Sequence, residues 1–297
     1  MFPAKLATSP DLIGERESRT DMVFDEAALR SGFAGKRIGG RLQVVPEIDS
    51  TNRLALSLAR EGAPEGTVVL ADLQTAGRGR LKRVWQSPPG RNLYTSILLR
   101  PAIAPSEASG MTLMAGVAVA EAIREFCPQG VGLKWPNDVR IGGRKVCGIL
   151  AETYLKGSAL AAVVLGIGVN VNMPRDKFDP AHRETATSLF EATGKELARE
   201  AVALALYASV ERWYGIFLRE GFAPVRRRWL TLSEMEGQLI RVLFRDEVRE
   251  GRVAGIDHDG ALLLSDGSGT PLRITAGDAT IMKDGAGKKE VEHAAGH

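Results

Sequence analysis

Apolar positions fall in short runs along most of the chain, and the spacing within each run separates strands from helices. Residues 41–45, Arg-Leu-Gln-Val-Val, alternate as a strand, while 67–71 and 93–99 are continuous apolar or β-branched runs of buried-strand length. Between the first two, Ser50-Thr51-Asn52 reads as a capping signal for a helix over 53–61, and capping alone accounts for those hydroxyls. Leu113, Val117, Ala120 and Ile123 recur at helical spacing inside 106–126, and Cys127-Pro128 stops the pattern. Three strand candidates then crowd together at 131–135, 145–152 and 159–171, punctuated by Pro136-Asn137-Asp138 and by Gly142-Gly143. Helical patterns return at 195–219 and 224–230, and a short helix fits 24–33. Adjacent strands with tight turns and only occasional helices predict an α+β fold. The expected core is a mixed β-sheet with helices packed mainly on one face, in place of a doubly wound parallel sheet.

After Ser233 the texture changes. Short strand candidates at 238–244, 248–256, 261–264 and 272–274 are separated by Asp246-Glu247, Asp257-His258-Asp259-Gly260 and Asp266-Gly267-Ser268-Gly269. They predict a small all-β barrel over 235–284, following a larger domain over 23–234. Residues 1–22 are polar and without periodicity, and 285–297 are charged and rich in glycine and alanine, so a mobile extension and a frayed tail are expected.

Composition adds a few exclusions. The chain has 297 residues, 44% hydrophobic and 25% charged, with a net charge of +3. That charge is too weak for a dedicated nucleic-acid binder, and the segment before residue 41 lacks a second amphipathic helix for a helix-turn-helix, so DNA binding is not expected. Two cysteines, Cys127 and Cys147, fit a reducing compartment without a disulfide framework. The N-terminus has no apolar core for a signal peptide, and no stretch reaches the roughly 18 apolar residues that span a bilayer. A cytoplasmic protein with no membrane partner follows as the expectation.

Charge matters locally instead. Gly77-Arg78-Gly79-Arg80-Leu81-Lys82-Arg83-Val84-Trp85 packs four cations and two glycines into a run ending on a large aromatic. Glycines leave amide groups that an anionic oxygen can approach, and arginine forks suit carboxylate and phosphate. Alone, the run reads first as a solvated basic turn or a nucleic-acid patch, since short basic runs are common. Other candidates are Gln74, the run Lys134-Trp135-Pro136-Asn137-Asp138, Gly148 to Glu152, and Gly166-Ile167-Gly168 leading to Asn170. Lys134 ends an apolar strand, where site residues commonly sit. Glycines inside a strand mark a bulge or a close approach by another group. No Walker-type phosphate loop or Gly-x-Ser-x-Gly elbow occurs, and Gly166-Ile167-Gly168 lacks the third glycine of a dinucleotide fingerprint. The histidines and cysteines have no metal-ligand spacing, so no metal site is assigned, and Asp257-His258-Asp259-Gly260 suits a hairpin turn better than a calcium loop.

Taken in order, the motifs at 77–85, 134–138, 144–152 and 166–170 resemble those of biotin protein ligases, over roughly residues 44–282. The chain departs from the family's Gly-Arg-Gly-Arg-x-Gly-Arg-x-Trp at Lys82, which bears on the loop's flexibility and its closure. The resemblance implies the class II synthetase-like biotin/lipoate ligase fold with an SH3-like C-terminal barrel. It also implies a two-step reaction: biotin and ATP, with Mg²⁺, give biotinyl-5'-AMP, whose biotinyl group passes to a lysine of a biotin carboxyl carrier protein, such as an acetyl-CoA carboxylase subunit.

Carried onto this chain, the resemblance implies a biotin site of Ser50, Thr51, Asn52, Gln74, Gly77, Arg78, Gly79, Arg80, Lys134, Gly148, Gly166 and Gly168. Arg80, Arg83, Trp85, Lys134, Asn137, Lys145 and Asn170 would serve ATP and the adenylate, with Lys134, Arg78 and Arg80 as the catalytic residues. Lys134 would bridge the biotin carboxylate and the α-phosphate. The implied form lacks an N-terminal DNA-binding domain, and a homodimer is one option, since ligases of this kind are often dimers. A lipoate-type acyl ligase, a DNA- or acid-binding regulator, and a scaffold built around the barrel are the competing readings.

Overall fold

The computed structural model describes residues 24–244, 247–265, 267 and 269–282; the extension expected over 1–22 and the tail expected over 285–297 lie outside them. A seven-stranded sheet is built from β1 (Arg41–Ile48), β2 (Thr67–Gln74), β3 (Leu93–Leu99), β4 (Val131–Lys134), β5 (Asp138–Ile141), β6 (Arg144–Lys156) and β7 (Ala159–Val169). Their order across the sheet is β1-β2-β3-β7-β6-β5-β4. β1 and β2 are parallel, joined by helix α2 (Thr51–Arg60) as crossover, and the remaining neighbours are antiparallel. This is the mixed sheet that the crowded strand candidates predicted.

The period-two alternation of a strand explains the continuous apolar runs, since both faces of the central strands are covered. Ile97, Leu99, Leu165 and Ile167 face the main core, which α3 (Ala108–Arg124), α5 (Arg199–Glu220) and α6 (Phe222–Leu232) complete. Leu98, Val69, Ala162 and Val164 point the other way, onto Ala55, Leu58 and Ala59 of α2. Helices therefore lie mainly on one face, with α2 alone opposite. α1 (Glu26–Gly32) and α4 (Leu189–Thr193) are short.

Several sequence-based boundaries move. α2 begins at Thr51, two residues before the expected start, and the hydroxyl of Ser50 makes no capping bond. β5 was not foreseen because Asp138-Val139-Arg140-Ile141 is too short an alternation to stand out beside the turn at Pro136-Asn137. α5 begins at Arg199 instead of 195. By length and composition it is also apolar enough to cross a bilayer, contrary to the expectation that no stretch is. Its apolar residues have another use, with Val202, Leu206, Tyr207, Val210, Tyr214 and Phe217 buried in the main core.

The C-terminal strands β8 (Leu239–Phe244), β9 (Glu247–Ile256), β10 (Leu262–Ser265), β11 (Leu272–Ile274) and β12 (Asp278–Ile281) form a five-stranded antiparallel sheet ordered β11-β10-β9-β8-β12. This is the small SH3-like domain, with β12 an addition to the strands foreseen. It packs directly on the larger domain. Trp135, buried after β4, donates from Nε1 to the carbonyl of Gly260 at 3.0 Å, and Ile240, Val253, Ile256 and Leu262 join the main core cluster.

Candidate active site

A cavity of about 860 Å³ opens over the end of β2, the first half of β6 and the last part of β7, and is closed on one side by the loop 77–85. Of the residues singled out in the sequence, Ser50, Thr51, Asn52, Gln74, Arg78, Gly79, Arg80, Arg83, Trp85, Lys134, Asn137, Lys145, Gly148, Gly166, Gly168 and Asn170 line it. Gly77 does not. A Cβ there would lie 2.4 Å from the Trp85 carbonyl oxygen and 2.6 Å from Ser87 Oγ, so Gly77 lets the two stems of the loop close on each other.

One part of the wall is an uncharged hydrogen-bonded network. Gln74 Oε1 accepts from the Thr51 amide at 3.0 Å and from its hydroxyl at 3.2 Å. Gln74 thereby satisfies a first-turn amide of α2, the task that the sequence assigned to capping hydroxyls. Gln74 Nε2 donates to Ser87 Oγ at 3.0 Å. Behind the wall, buried Ser96 lies 2.8 Å from Thr51 Oγ1 and 2.6 Å from Asn52 Oδ1. Asn52 in turn donates to the Leu150 carbonyl and to Glu152 Oε2 at 3.1 and 2.8 Å. A Cβ on Gly166 would fall 2.1 Å from Asn52 Oδ1, so this glycine makes room for the Asn52 amide.

The other part is charged. Lys134 and Asp138 face each other at the β4–β5 hairpin, whose turn holds Asn137. Asn137 is pinned to β6 in both directions, donating from Nδ2 to the Ile149 carbonyl at 2.8 Å and accepting at its own carbonyl from the Ile149 amide at 3.0 Å. Its Oδ1 lies 3.4 Å from Arg80 Nη1. Asp138 pairs with Lys145 at 2.6 Å. Burial is the largest influence on Lys134 and pushes its pKa below the usual lysine value; Asp138 and Asp278 pull it back up, and Arg140 and Lys145 add to the lowering. Burial likewise lowers Arg80, against the opposing pull of Asp278 and Asp138. Anions are the natural guests of such a wall.

Trp85 joins the two parts. Gly148 and Gly168 face each other across β6 and β7, and the indole lies over both, since Cβ atoms there would be 2.9 Å and 2.4 Å from ring atoms. The sequence reading of strand glycines as a close approach thus has a specific intruder. Lys145 Nζ stands 5.4 Å from the indole centroid, within cation–π reach. Asn170, buried, donates to the Thr187 carbonyl at 3.0 Å and so holds the far wall near Thr185 and Ala186.

The loop itself is a narrow hairpin. Arg78 and Val84 bridge, Gly79 donates to the Arg83 carbonyl at 2.8 Å, and a 3₁₀ turn spans Arg80–Lys82. Leu81 and Lys82 have φ of +53° and +59°. Arg78 is anchored by Glu152 at 3.2 Å and Arg83 by Asp278. Sequence reasoning did not assign Asp138, Arg140, Glu152, His182 or Asp278. Glu152 and Asp138 lay at the ends of motifs already noticed, but nothing near Asp278 signalled a site. The Asp257-His258-Asp259 cluster has its two carboxylates paired with Arg273 across the hairpin, Asp257 at 2.6 Å and Asp259 at 2.5 Å.

A mixed sheet carrying this cavity, with a small SH3-like domain at its edge, defines the class of biotin and lipoate ligases. The model described as the Biotin/lipoate A/B protein ligase family matches residues 44–170, and that of the Biotin protein ligase C terminal domain matches 237–281. The chain is 36% identical over 246 residues to the bifunctional ligase/repressor BirA of Bacillus subtilis, covering 83% of this chain and 76% of that one. It is 35% identical over 273 residues to the biotin–[acetyl-CoA-carboxylase] ligase of Mycobacterium tuberculosis, covering 88% and 96%. The solved biotin protein ligase from Aquifex aeolicus in complex with biotin and ATP superposes with a TM-score of 0.70 at 30% identity, over 82% of this chain and 99% of that one. The chain belongs to the biotin protein ligase family.

Proposed function

We propose that the chain activates biotin with ATP to biotinyl-5'-AMP and transfers the biotinyl group to a lysine of a biotin carboxyl carrier domain. The observation that carries this reading is the continuity of one cavity from an uncharged hydrogen-bonding wall to a cationic one beneath a basic loop. In the first step a biotin carboxylate oxygen attacks the α-phosphorus of ATP, the bond to the bridging oxygen breaks, and pyrophosphate leaves. In the second, the acceptor amine attacks the biotinyl carbonyl, AMP departs with the anhydride oxygen, and a proton passes to solvent.

Ser50, Thr51, Asn52 and Gln74 suit the ureido end, being polar and uncharged, with Thr51 and Gln74 bonded to each other and Ser96 joining Thr51 to Asn52. Lys134 suits the point where carboxylate and α-phosphate meet. A charge fixed there favours the transition state without moving a proton. Arg80, Arg83 and Lys145 suit the phosphates, and Arg78 and the loop glycines suit a cover that keeps water from the mixed anhydride. Magnesium belongs to the nucleotide substrate in this reading, and of the cavity's carboxylates Asp138 pairs with Lys145 and Asp278 with Arg83. The setting proposed is the cytoplasm, with the carrier domain as partner and neither DNA nor membrane.

The test is pyrophosphate release by the purified chain with biotin, ATP and magnesium, followed by labelling of a carrier domain. Release that does not depend on biotin, or that lipoate supports equally, would overturn the reading. Salt-dependent binding to duplex DNA would add a repressor role of the sort named for the Bacillus relative.

A further inference from the structure

Asp278 belongs to β12 of the C-terminal domain, yet it lines the cavity together with Thr280 and Ile281. Its carboxylate pairs with the Arg83 guanidinium. The residue before it, Gly277, accepts a hydrogen bond at its carbonyl from Arg80 Nη2 at 3.0 Å. Arg80 opens the 3₁₀ turn of the loop and Arg83 caps it, so residues 277–278 grip both ends of the turn. The grip is rigidly mounted. Asp278 pairs in register with Leu243 of β8. A Cβ on Gly277, whose φ is +144°, would lie 2.6 Å from the Leu243 carbonyl oxygen, so only glycine brings the chain so near β8.

The electrostatics call for such a contact. Arg78, Arg80 and Arg83 of the loop line the cavity together with Lys134, Arg140 and Lys145, and like charges gathered in one cavity repel. Carboxylates oppose that repulsion on both sides: Asp138 and Glu234 pair with Lys145 and Arg140, while at the loop Glu152 of the large domain holds Arg78 and Asp278 of the small domain holds Arg83, with Asp138 and Asp278 both acting on Arg80.

We propose that Asp278 is a positioning residue, a latch by which the C-terminal domain holds the cationic loop across the cavity. Its effect on the adenylate rests on the ligase reading above; its effect on the loop does not. Removing the carboxylate frees Arg83 and leaves Arg80 with a single backbone acceptor from the small domain. The loop then opens more often, and the adenylate is lost to water before transfer.

Tryptic cleavage of the full chain without ligands reads the loop directly, since it carries Arg78, Arg80, Lys82 and Arg83. The Arg83 side chain is 65% exposed, so the latch is a modest one. Asp278→Asn should speed cleavage within 77–85 by about threefold at low salt, the range of a partly exposed ion pair. Asp278→Glu should restore protection, and about 1 M salt should erase the difference. Asp259→Asn, which alters the same domain at Arg273, should leave loop cleavage unchanged. With biotin and ATP but no acceptor, Asp278→Asn should release AMP faster by a similar factor while keeping its first burst of pyrophosphate. Unchanged cleavage in Asp278→Asn overturns the latch, as does an equal rise in Asp259→Asn. Faster cleavage with unaltered AMP release overturns the positioning role. Faster cleavage in a chain whose wild type makes no biotin-dependent AMP supports the latch and removes the ligase reading instead.

Discussion

At the scale of single residues, Lys134 and Lys82 carry the sharpest consequences. In the proposed reaction Lys134 acts through its charge, and burial lowers its pKa from the ordinary 10.5, with Arg140 and Lys145 adding to the lowering against Asp138 and Asp278. Its charge is complete below the lowered pKa and lost as pH rises through it. The alkaline limb of kcat/KM for ATP, which reports the free enzyme, should therefore begin below pH 10.5. Lys134→Arg should move that limb upward, and Lys134→Gln should lower kcat/KM by about a hundredfold, the scale of losing one electrostatic donor. A limb unmoved in Lys134→Arg would assign it to another group. Lys82 is a question of backbone. A side chain at φ +59° costs about 1 kcal/mol that glycine avoids, and the family pattern has glycine there. Lys82→Gly should slow hydrogen exchange at the Gly79 and Trp85 amides, which close the hairpin. Lys82→Ala removes the charge but keeps the Cβ and should not. Equal exchange in the two variants would show that charge, not φ, governs the loop. Lys134 was legible from the sequence because a cation ending an apolar strand is conspicuous. The left-handed backbone at Leu81 and Lys82 was not, because neither residue type announces it.

Among elements, β6 and β7 illustrate how a pattern can be legible while its cause is hidden. Gly148, Gly166 and Gly168 stand out in any apolar strand, and they signal a close approach. Their intruders come from distant parts of the chain: Asn52 from α2 over Gly166, and Trp85 from the loop over Gly148 and Gly168. The same long-range exchange explains the cap of α2, where Gln74 supplies what Ser50 was expected to supply. Local signals locate elements, and tertiary contacts decide which side chains serve them. Gly168→Ala tests this at the sheet. Its Cβ would sit 2.4 Å from Trp85 Nε1, so the indole must move, and overpacking of that sort costs about 1–3 kcal/mol. Nucleotide affinity should fall by about tenfold, measured by calorimetry with a non-hydrolysable ATP analogue. In a Trp85→Ala background the same substitution should be close to neutral. A full effect of Gly168→Ala without the indole would mean that the glycine faces ligand directly.

For the whole molecule, the change in texture after Ser233 suggested two domains in series, and the strands do divide into two sheets there. The chain's far separation of contacting residues was beyond local reading. Arg80 and Gly277 lie 197 positions apart and still share a hydrogen bond, and Trp135 reaches Gly260 across 125. No periodicity encodes such pairs, because each partner satisfies its own local rule as a turn or a strand end. Their energetic effect is to fuse the sheets: residues of β8, β9 and β10 belong to the same core cluster as α3 and α5. A shared core of this kind predicts a single cooperative unfolding transition for the described body, although the sequence divides it. Trp135→Phe probes the joint. It keeps most of the apolar ring but strands the buried Gly260 carbonyl, at a cost of about 1–3 kcal/mol. For a chain of this size each kcal/mol lowers Tm by roughly 2–4 °C, so calorimetry should show one peak displaced downward by several degrees, read as heat and as far-UV signal together. Two peaks, with only the smaller one displaced, would mean that the C-terminal domain melts by itself. In that case a latch at Asp278 would be carried by a domain free to leave the loop.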